Sequence, residues 1–472
     1  MLNRREDKTN VGTNNESNSI SQSILDFLAE TEPFLEKVDE LPPETAVELY
    51  DMYGILAQTA TENIAIIDPE IRVTICNRQD MILERVIDVT PPMSFKDKKI
   101  FTPAVQGYRR WKNIELMKDK GLAGYMLANE IGAHSVMYFG TKPSDYPNLS
   151  DLPGMDMLYQ ETGSGTPDAY LEHIIASYPE MDTLMLHGMY EQTIGYLDAY
   201  RKLRPDGKVF CGLDMNSYWM RNIQWSSAAA RNFATQCDVI ATSCRPLRDA
   251  LNRKTSVHFP CHWFPNGFYN PTGVEVIADP EQKENTIMTV GRIGTPDKNN
   301  AELLVAFARV SNALPGWSLR LVGPVETKFQ PLIEHYFSER PDLEDRVVFT
   351  GAIMNKGELY KEYAKGKVFA LTSPSEGGTP NVYAEALFHG CMFITSDIDG
   401  ADDITNFGEL GIVYKLGDID ALSSALVKMC SNANKTALQK HIPKALAYAT
   451  KYYDWNRNAK KLAYMLYGVQ ET

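Results

Sequence analysis

Two long sections of this chain alternate short apolar runs with helix-patterned stretches, and few folds accommodate that rhythm. In the first section the apolar runs are Lys99–Pro103, His134–Phe139, Thr183–His187, Lys208–Gly212 and Val239–Ser243. In the second they are Thr286–Val290, Leu319–Val322, Val347–Thr350, Lys367–Leu371, Met392–Thr395 and Gly411–Tyr414. Helical stretches such as Ala301–Ala308 and Ala421–Val427 fit between them. A strand that is apolar along its length needs cover on both faces. A helix after each strand returns the chain so that the next strand runs parallel. The reading is α/β, with two parallel-sheet domains in series and a ligand cleft between them. Pro265-Asn266-Gly267 reads as a turn, and Asn266–Asn285, which lacks periodicity, reads as the linker.

The length of 472 residues suits two domains plus additional material. Residues 1–20 are polar and read as a disordered tail. Residues 21–96 read as a mainly helical accessory extension, from stretches such as Ser23–Leu28 and Pro43–Tyr50, with Arg72–Cys76 as a short strand inside it. Three roles stay open for the extension: binding a protein partner, pairing with a second copy, or capping the neighbouring domain. Tyr146–Pro167, rich in Gly, Pro, Asp and Ser, reads as a long loop over the cleft.

Charge and composition exclude several classes. With 47 basic against 61 acidic residues the net charge is −14, which disfavours coating nucleic acid or anionic lipid. No apolar run reaches the ~18 residues of a membrane span. The first residues lack an apolar signal core, so the expected location is cytoplasmic. The seven cysteines include no C-x-x-C pair, and most read as small buried hydrophobes. His258 and His262 are four apart, but Pro260 between them argues against a metal-binding helix face. No metal is expected.

Two segments carry candidate chemistry. The first is Ser375–Glu385, directly after the apolar run ending at Leu371. Thr379 is expected as helix N-cap and Pro380 as the first helical residue, with Gly390 ending the helix. Free N–H groups at Asn381, Val382 and Tyr383 would then favour an anion such as a diphosphate. Gly377 and Gly378 would let backbone approach the ligand closely. Glu376 and Glu385 accept hydrogen bonds, which suits sugar hydroxyls. The plain alternative is an ordinary capped turn with solvated glutamates. In the second segment, Gly291 opens the loop after Val290, and Arg292 and Lys298 emerge from it. Two fixed cations would stabilise the charge that develops on a departing nucleoside diphosphate. The plain alternative pairs these cations with Asp297 or Glu302.

Val290-Gly-Arg292 followed by Lys298, Leu321-Val-Gly323, Phe349-Thr-Gly351 and the run from Ser375 through Ala386-Leu387 together resemble the C-terminal half of retaining glycosyltransferases of family 4. Asp399-Gly-Ala401, Gly411–Tyr414 and Gly417–Leu422 resemble it as well. So does the terminal segment with Tyr452-Tyr-Asp-Trp455, which in the family crosses back onto the N-terminal domain. The likeness runs over residues 265–465. It implies a GT-B fold: Rossmann-like domains at 97–265, for the acceptor, and 275–450, for the nucleotide-sugar, then a returning helix at 451–472. It also implies roles. Arg292 and Lys298 would neutralise the donor diphosphate, Glu376 would face the donor sugar near its anomeric carbon, and Glu385 would hold the ribose. Gly291, Gly377, Gly378, Asn381 and Val382 would pack against the donor. Eight residues separate the two glutamates, one more than in the family, and the extra residue falls in the turn before the helix.

The N-terminal half resembles the family less closely. Ala128–Val136 is similar to its helix ending in Gly and running into the second strand, with His134 read as structural. Gln106-Gly107 and Gly121 are alternative remnants of its glycine loop, and Arg109-Arg-Trp-Lys112 is a basic insert. Where the family often has a donor-contacting histidine, this chain reads Cys211-Gly-Leu-Asp-Met-Asn216. Asp214 or Asn216 is the expected substitute, and His187 a nearby alternative. The implied function is metal-independent transfer of a sugar, with retention, from a nucleotide-sugar to an unidentified acceptor. A non-catalytic partner subunit, a sugar phosphorylase or synthase, and a nucleic-acid glucosylating enzyme are the alternatives, the last opposed by the acidic charge.

Overall fold

A computed structural model describes residues 10–90, 93–103, 116–139, 146–159, 181–271 and 279–468. Two parallel sheets dominate it. The N-terminal sheet contains β1 (Lys99–Thr102), β2 (His134–Phe139), β3 (Met155–Tyr159), β4 (Met181–His187), β5 (Lys208–Leu213), β6 (Val239–Thr242) and β7 (Cys261–Trp263), in the order β3-β2-β1-β4-β5-β6-β7. The C-terminal sheet contains β8 (Glu284–Val290), β9 (Ser318–Val322), β10 (Val347–Gly351), β11 (Gly366–Leu371), β12 (Met392–Ser396) and β13 (Gly411–Tyr414), in the order β10-β9-β8-β11-β12-β13. Both orders reverse direction once, between β1 and β4 and between β8 and β11. In doubly wound sheets that reversal opens a crevice beyond the strands' carboxyl ends, where ligands bind.

Each sheet is covered on both faces, as its mainly apolar strands require. In the C-terminal domain one core gathers Leu303, Phe307, Leu319, Ile394 and Leu426, and the other Met288, Phe369, Tyr383 and Phe393. In the N-terminal domain one face packs Phe101, Leu184, Leu197 and Ile240. The opposite face shares a single core with the extension, running from Ile24, Tyr53 and Ile82 through Ile100, Met137 and Phe210 to Trp455 and Leu462.

The extension consists of α1 (Asn10–Leu35), α2 (Pro43–Glu62) and α3 (Pro69–Val89). Thus helix begins at Asn10, inside the stretch expected to be a tail. Arg72–Cys76, expected as a strand, lies in α3. Asp68 caps that helix by accepting the Glu70 N–H at 2.8 Å, and Pro69 fits its first turn. Val73, Cys76, Leu83, Val86 and Ile87 then bury one helical face, so helical spacing overrides the local β-branched composition. Arg72 donates to the carbonyls of Lys254 and Val257, which holds α3 against the end of the β7 edge.

Two further readings change. Part of the expected loop at 146–167 is β3, a parallel edge strand on β2; residues 160–167 lie outside the described set. In the expected linker, Glu284 and Asn285 already belong to β8, and Phe268 is buried. Phe268 N–H donates to Tyr453 O at 2.7 Å and Trp455 N–H to Phe268 O at 3.2 Å, so the outgoing and returning crossings between the domains are bonded to each other. The returning helix Trp455–Tyr467 packs on α3 and on α4 (Asp119–Ile131).

Candidate active site

The loops after β5 and β6 meet those after β11 and β12 across the cleft. Asn216 Nδ2 donates to Ser375 Oγ at 3.3 Å, and Ser217 N–H to Asp399 Oδ2 at 2.7 Å. Ser243 Oγ donates to Gly377 O at 2.8 Å and accepts Thr379 N–H at 3.2 Å. Asn266 Nδ2 donates to Thr379 O at 2.7 Å. Arg245 donates to Asp403 from its backbone at 2.6 Å and from its guanidinium at 3.2 Å, while stacking over Trp263 at 3.6 Å. The closed cleft keeps a cavity of about 30 Å³, lined among others by His187, Asp214, Ser243, Asn266, Gly377 and Trp455.

Lys298 and Glu376 come together at the β8/β11 reversal. The Lys298 ammonium is ion-paired with Glu376 Oε1, which also accepts Ser373 Oγ at 2.6 Å. Thr372 Oγ1 donates to the carbonyls of Lys298 and Asn299, both at 3.0 Å, tying the two loops together. Arg292 stands further out. It is exposed and paired with Asp297 Oδ2 at 2.5 Å, the partner that the plain reading named. Gly291 adjoins the Lys298 side chain: a Cβ there would lie 3.6 Å from Lys298 Cε.

The turn after β11 is held by the N-terminal domain. A Cβ on Gly377 would lie 2.8 Å from Asp214 Oδ1, so Asp214 faces this turn. Gly378 has φ +81, and a Cβ on it would meet Ser243 Oγ at 2.1 Å. The helix runs Asn381–Phe388 with Pro380, not Thr379, in the capping position. Thr379 is fully buried and its backbone is bonded to Ser243 and Asn266, which leaves the first turn to start later. Of the three expected N–H groups, that of Tyr383 is taken by Pro380 O at 3.0 Å. Asn381 and Val382 are half-buried at the helix start, and Gly390 follows its end with φ +65.

Glu385 is buried, with Lys356 on Oε1 at 2.8 Å and the Tyr363 hydroxyl on Oε2 at 2.7 Å. Burial alone would raise its pKa, but the Lys356 charge and these hydrogen bonds hold it below the ordinary carboxylate value. Asn216 Oδ1 accepts Trp219 N–H at 3.0 Å, so its side chain serves as a helix cap and an interdomain tie. His187 ends β4, buried at the cavity. His134 begins β2, exposed at the sheet end away from the cleft. Gln106-Gly107 and Arg109–Lys112 lie outside the described residues. Among the described residues no group of three or more His, Cys, Asp or Glu is placed to hold a metal ion, and no helix is long and apolar enough to cross a membrane.

Ser243, Arg245, Asn266, Lys356 and Asp403 were not named in the sequence as site residues, although Asn266 stands in the expected Pro265-Asn266-Gly267 turn. Ser243 and Arg245 follow a strand end, the one available signal. Lys356 and Asp403 act on partners 29 and 158 residues away, which no local pattern reports.

Residues 284–432 match the sequence model of Glycosyl transferases group 1. A phosphatidyl-myo-inositol mannosyltransferase of Mycobacterium leprae is 27% identical over 179 residues, covering 38% of this chain and 45% of that protein. The matched stretches span less than half the length of the curated relatives. Among solved structures, sucrose-phosphate synthase from Thermosynechococcus elongatus is similar with TM-score 0.59 and 18% identity, covering 78% of this chain and 97% of that one. HepE from Anabaena, solved in complex with UDP, has TM-score 0.56 and 16% identity, covering 78% and 98%. The chain therefore has the GT-B architecture, two Rossmann-like parallel-sheet domains preceded by a helical extension, and its residues 284–432 are similar to glycosyl transferases of group 1.

Proposed function

We propose that this chain is a retaining glycosyltransferase that moves a sugar from a nucleotide-sugar to an acceptor hydroxyl. The observation that carries the proposal is the meeting of Lys298 and Glu376 where the C-terminal sheet reverses, facing Asp214 across the cleft. The donor diphosphate takes the Lys298 ammonium, and Arg292 swings from Asp297 to add a bidentate grip. Both cations neutralise charge as the bond between the anomeric carbon and phosphate oxygen breaks, the role that a metal would otherwise fill. Glu376, released from Lys298, accepts hydroxyls of the donor sugar. Glu385 accepts ribose hydroxyls on the lone pairs that Lys356 and Tyr363 leave.

The acceptor oxygen attacks the anomeric carbon on the face that the diphosphate leaves. A departing phosphate oxygen takes the acceptor's proton, giving a glycoside of unchanged anomeric configuration and a nucleoside diphosphate. Asp214, at the end of β5, orients the sugar from the acceptor side. Closure through Ser243, Asn266 and Arg245 excludes water, which would otherwise hydrolyse the donor. The test is nucleoside diphosphate release from UDP-, GDP-, ADP- and dTDP-sugars, with the product's anomeric configuration read by NMR. Release from one donor class with retention is expected. Inversion, or release that requires inorganic phosphate, would overturn the reading.

A further inference from the structure

The short helix Ser217–Asn222 stands on the rim of the cleft, directly after the Asp214 strand end. Alone, so short a helix would fray. Here Asn216 caps it and bonds Ser375, Ser217 N–H is held by Asp399, and Trp225 Nε1 donates to Met220 O at 2.9 Å at the far end. Met220 is its buried residue. Tyr218 and Trp219 remain 63% and 59% exposed, with ring centroids 5.5 Å apart and planes at 79°. Single exposed apolar side chains are ordinary, but two adjacent large rings on a fixed element beside a cleft form a patch of defined shape.

That shape is a corner. A pyranose ring presents weakly positive C–H bonds on its faces and hydroxyls around its rim, and the C–H face packs against the negative face of an aromatic ring. One ring of the corner can take the sugar's face and the other its edge. The basic residue of this helix, Arg221, is exposed and donates to Ser217 O at 3.0 Å. The exposed apolar side chains of the extension, such as Phe34 and Ile55, lie on α1 and α2, where nothing shows what covers them.

We infer that Tyr218 and Trp219 form an aromatic corner that holds a sugar ring of a carbohydrate acceptor beside the Asp214 strand end. The inference rests on the sugar-transfer reading and adds the acceptor's chemical class. Its test titrates the full-length protein with maltohexaose, mannohexaose, cellohexaose and chitohexaose by isothermal titration calorimetry. At least one saccharide gives a saturable heat change that Trp219→Ala abolishes, that Trp219→Phe weakens, and whose midpoint Tyr218→Ala moves by about tenfold. Donor-induced thermal stabilisation stays at the wild-type value in all three variants. Equal saccharide binding in wild type and Trp219→Ala, or no Trp219-dependent signal with any of the four, overturns the inference. So does a Trp219-dependent signal given by phosphatidylcholine–phosphatidylglycerol vesicles in place of the saccharides. Wild-type protein that no nucleotide-sugar stabilises would instead overturn the sugar-transfer reading, which the saccharide titration does not measure.

Discussion

Lys298 and Glu385 are both charged residues with an opposite partner, yet they differ in what their loss should do. Lys298 is partly open to the cleft, and Glu376 keeps the Ser373 hydroxyl if Lys298 is removed. Lys298→Ala should therefore lower donor turnover by on the order of 10²-fold while shifting the melting temperature by at most a few degrees. Paired kinetics and thermal melts measure both. Lys356→Met instead strands the buried Glu385 carboxylate and should cost about 3–5 kcal/mol at neutral pH. Because the folded-state pKa of Glu385 is depressed, the stability that it contributes is fully present above the ordinary value of 4.5. It is lost as pH falls through the lower folded value. The wild-type advantage over Lys356→Met in urea melts should accordingly shrink at acid pH. A pH-independent difference would contradict this account of the pair.

The turn between β11 and the helix Asn381–Phe388 is where the sequence and the structure inform each other most. Gly378 sits at φ +81 against Ser243, so Gly378→Ala should cost about 1–3 kcal/mol and loosen the domain contact. Urea melts give the first quantity, and small-angle scattering of the variant, expected to be more open than wild type, gives the second. The six strands of the C-terminal sheet were legible because each is a short, mainly apolar run between helical stretches. In the N-terminal domain β3 and β7 were not. The former hides in a segment rich in turn residues, and the latter is three residues long beside Pro260. α3 was misread in part because Val73, Thr74 and Ile75 look like a strand in isolation, whereas the Asp68-Pro69 start and the spacing of its buried residues settle it as helix. Within the site, Arg292, Lys298, Glu376 and Glu385 could be picked out as charged residues after strand ends. Lys356, the partner of Glu385, could not, nor could the cross-cleft contacts of Ser243 and Asp403, because these residues approach from elsewhere in the chain.

At the scale of the molecule, α3 ties the returning helix to the N-terminal domain. Glu84 on α3 is ion-paired with Lys461 and, at 3.0 Å, with Arg457, both on the returning helix. Asp80, also on α3, is paired with the buried Arg248 of the N-terminal domain. Glu84→Ala leaves the Lys461 ammonium buried without its carboxylate and should destabilise the chain by about 3–5 kcal/mol, read from thermal melts. The extension thus belongs to the N-terminal core and does not hang from it. In the proposed reading the cleft binds a nucleotide-sugar through Arg292 and Lys298. The decisive measurement is thermal stability in the presence of UDP-, GDP-, ADP- and dTDP-sugars. A donor at about 100 times its Kd should add about 2.7 kcal/mol of stability to the wild type, and this gain should vanish in the Arg292→Ala/Lys298→Ala variant. Absence of stabilisation by all four, or a gain that survives the double substitution, would contradict the account.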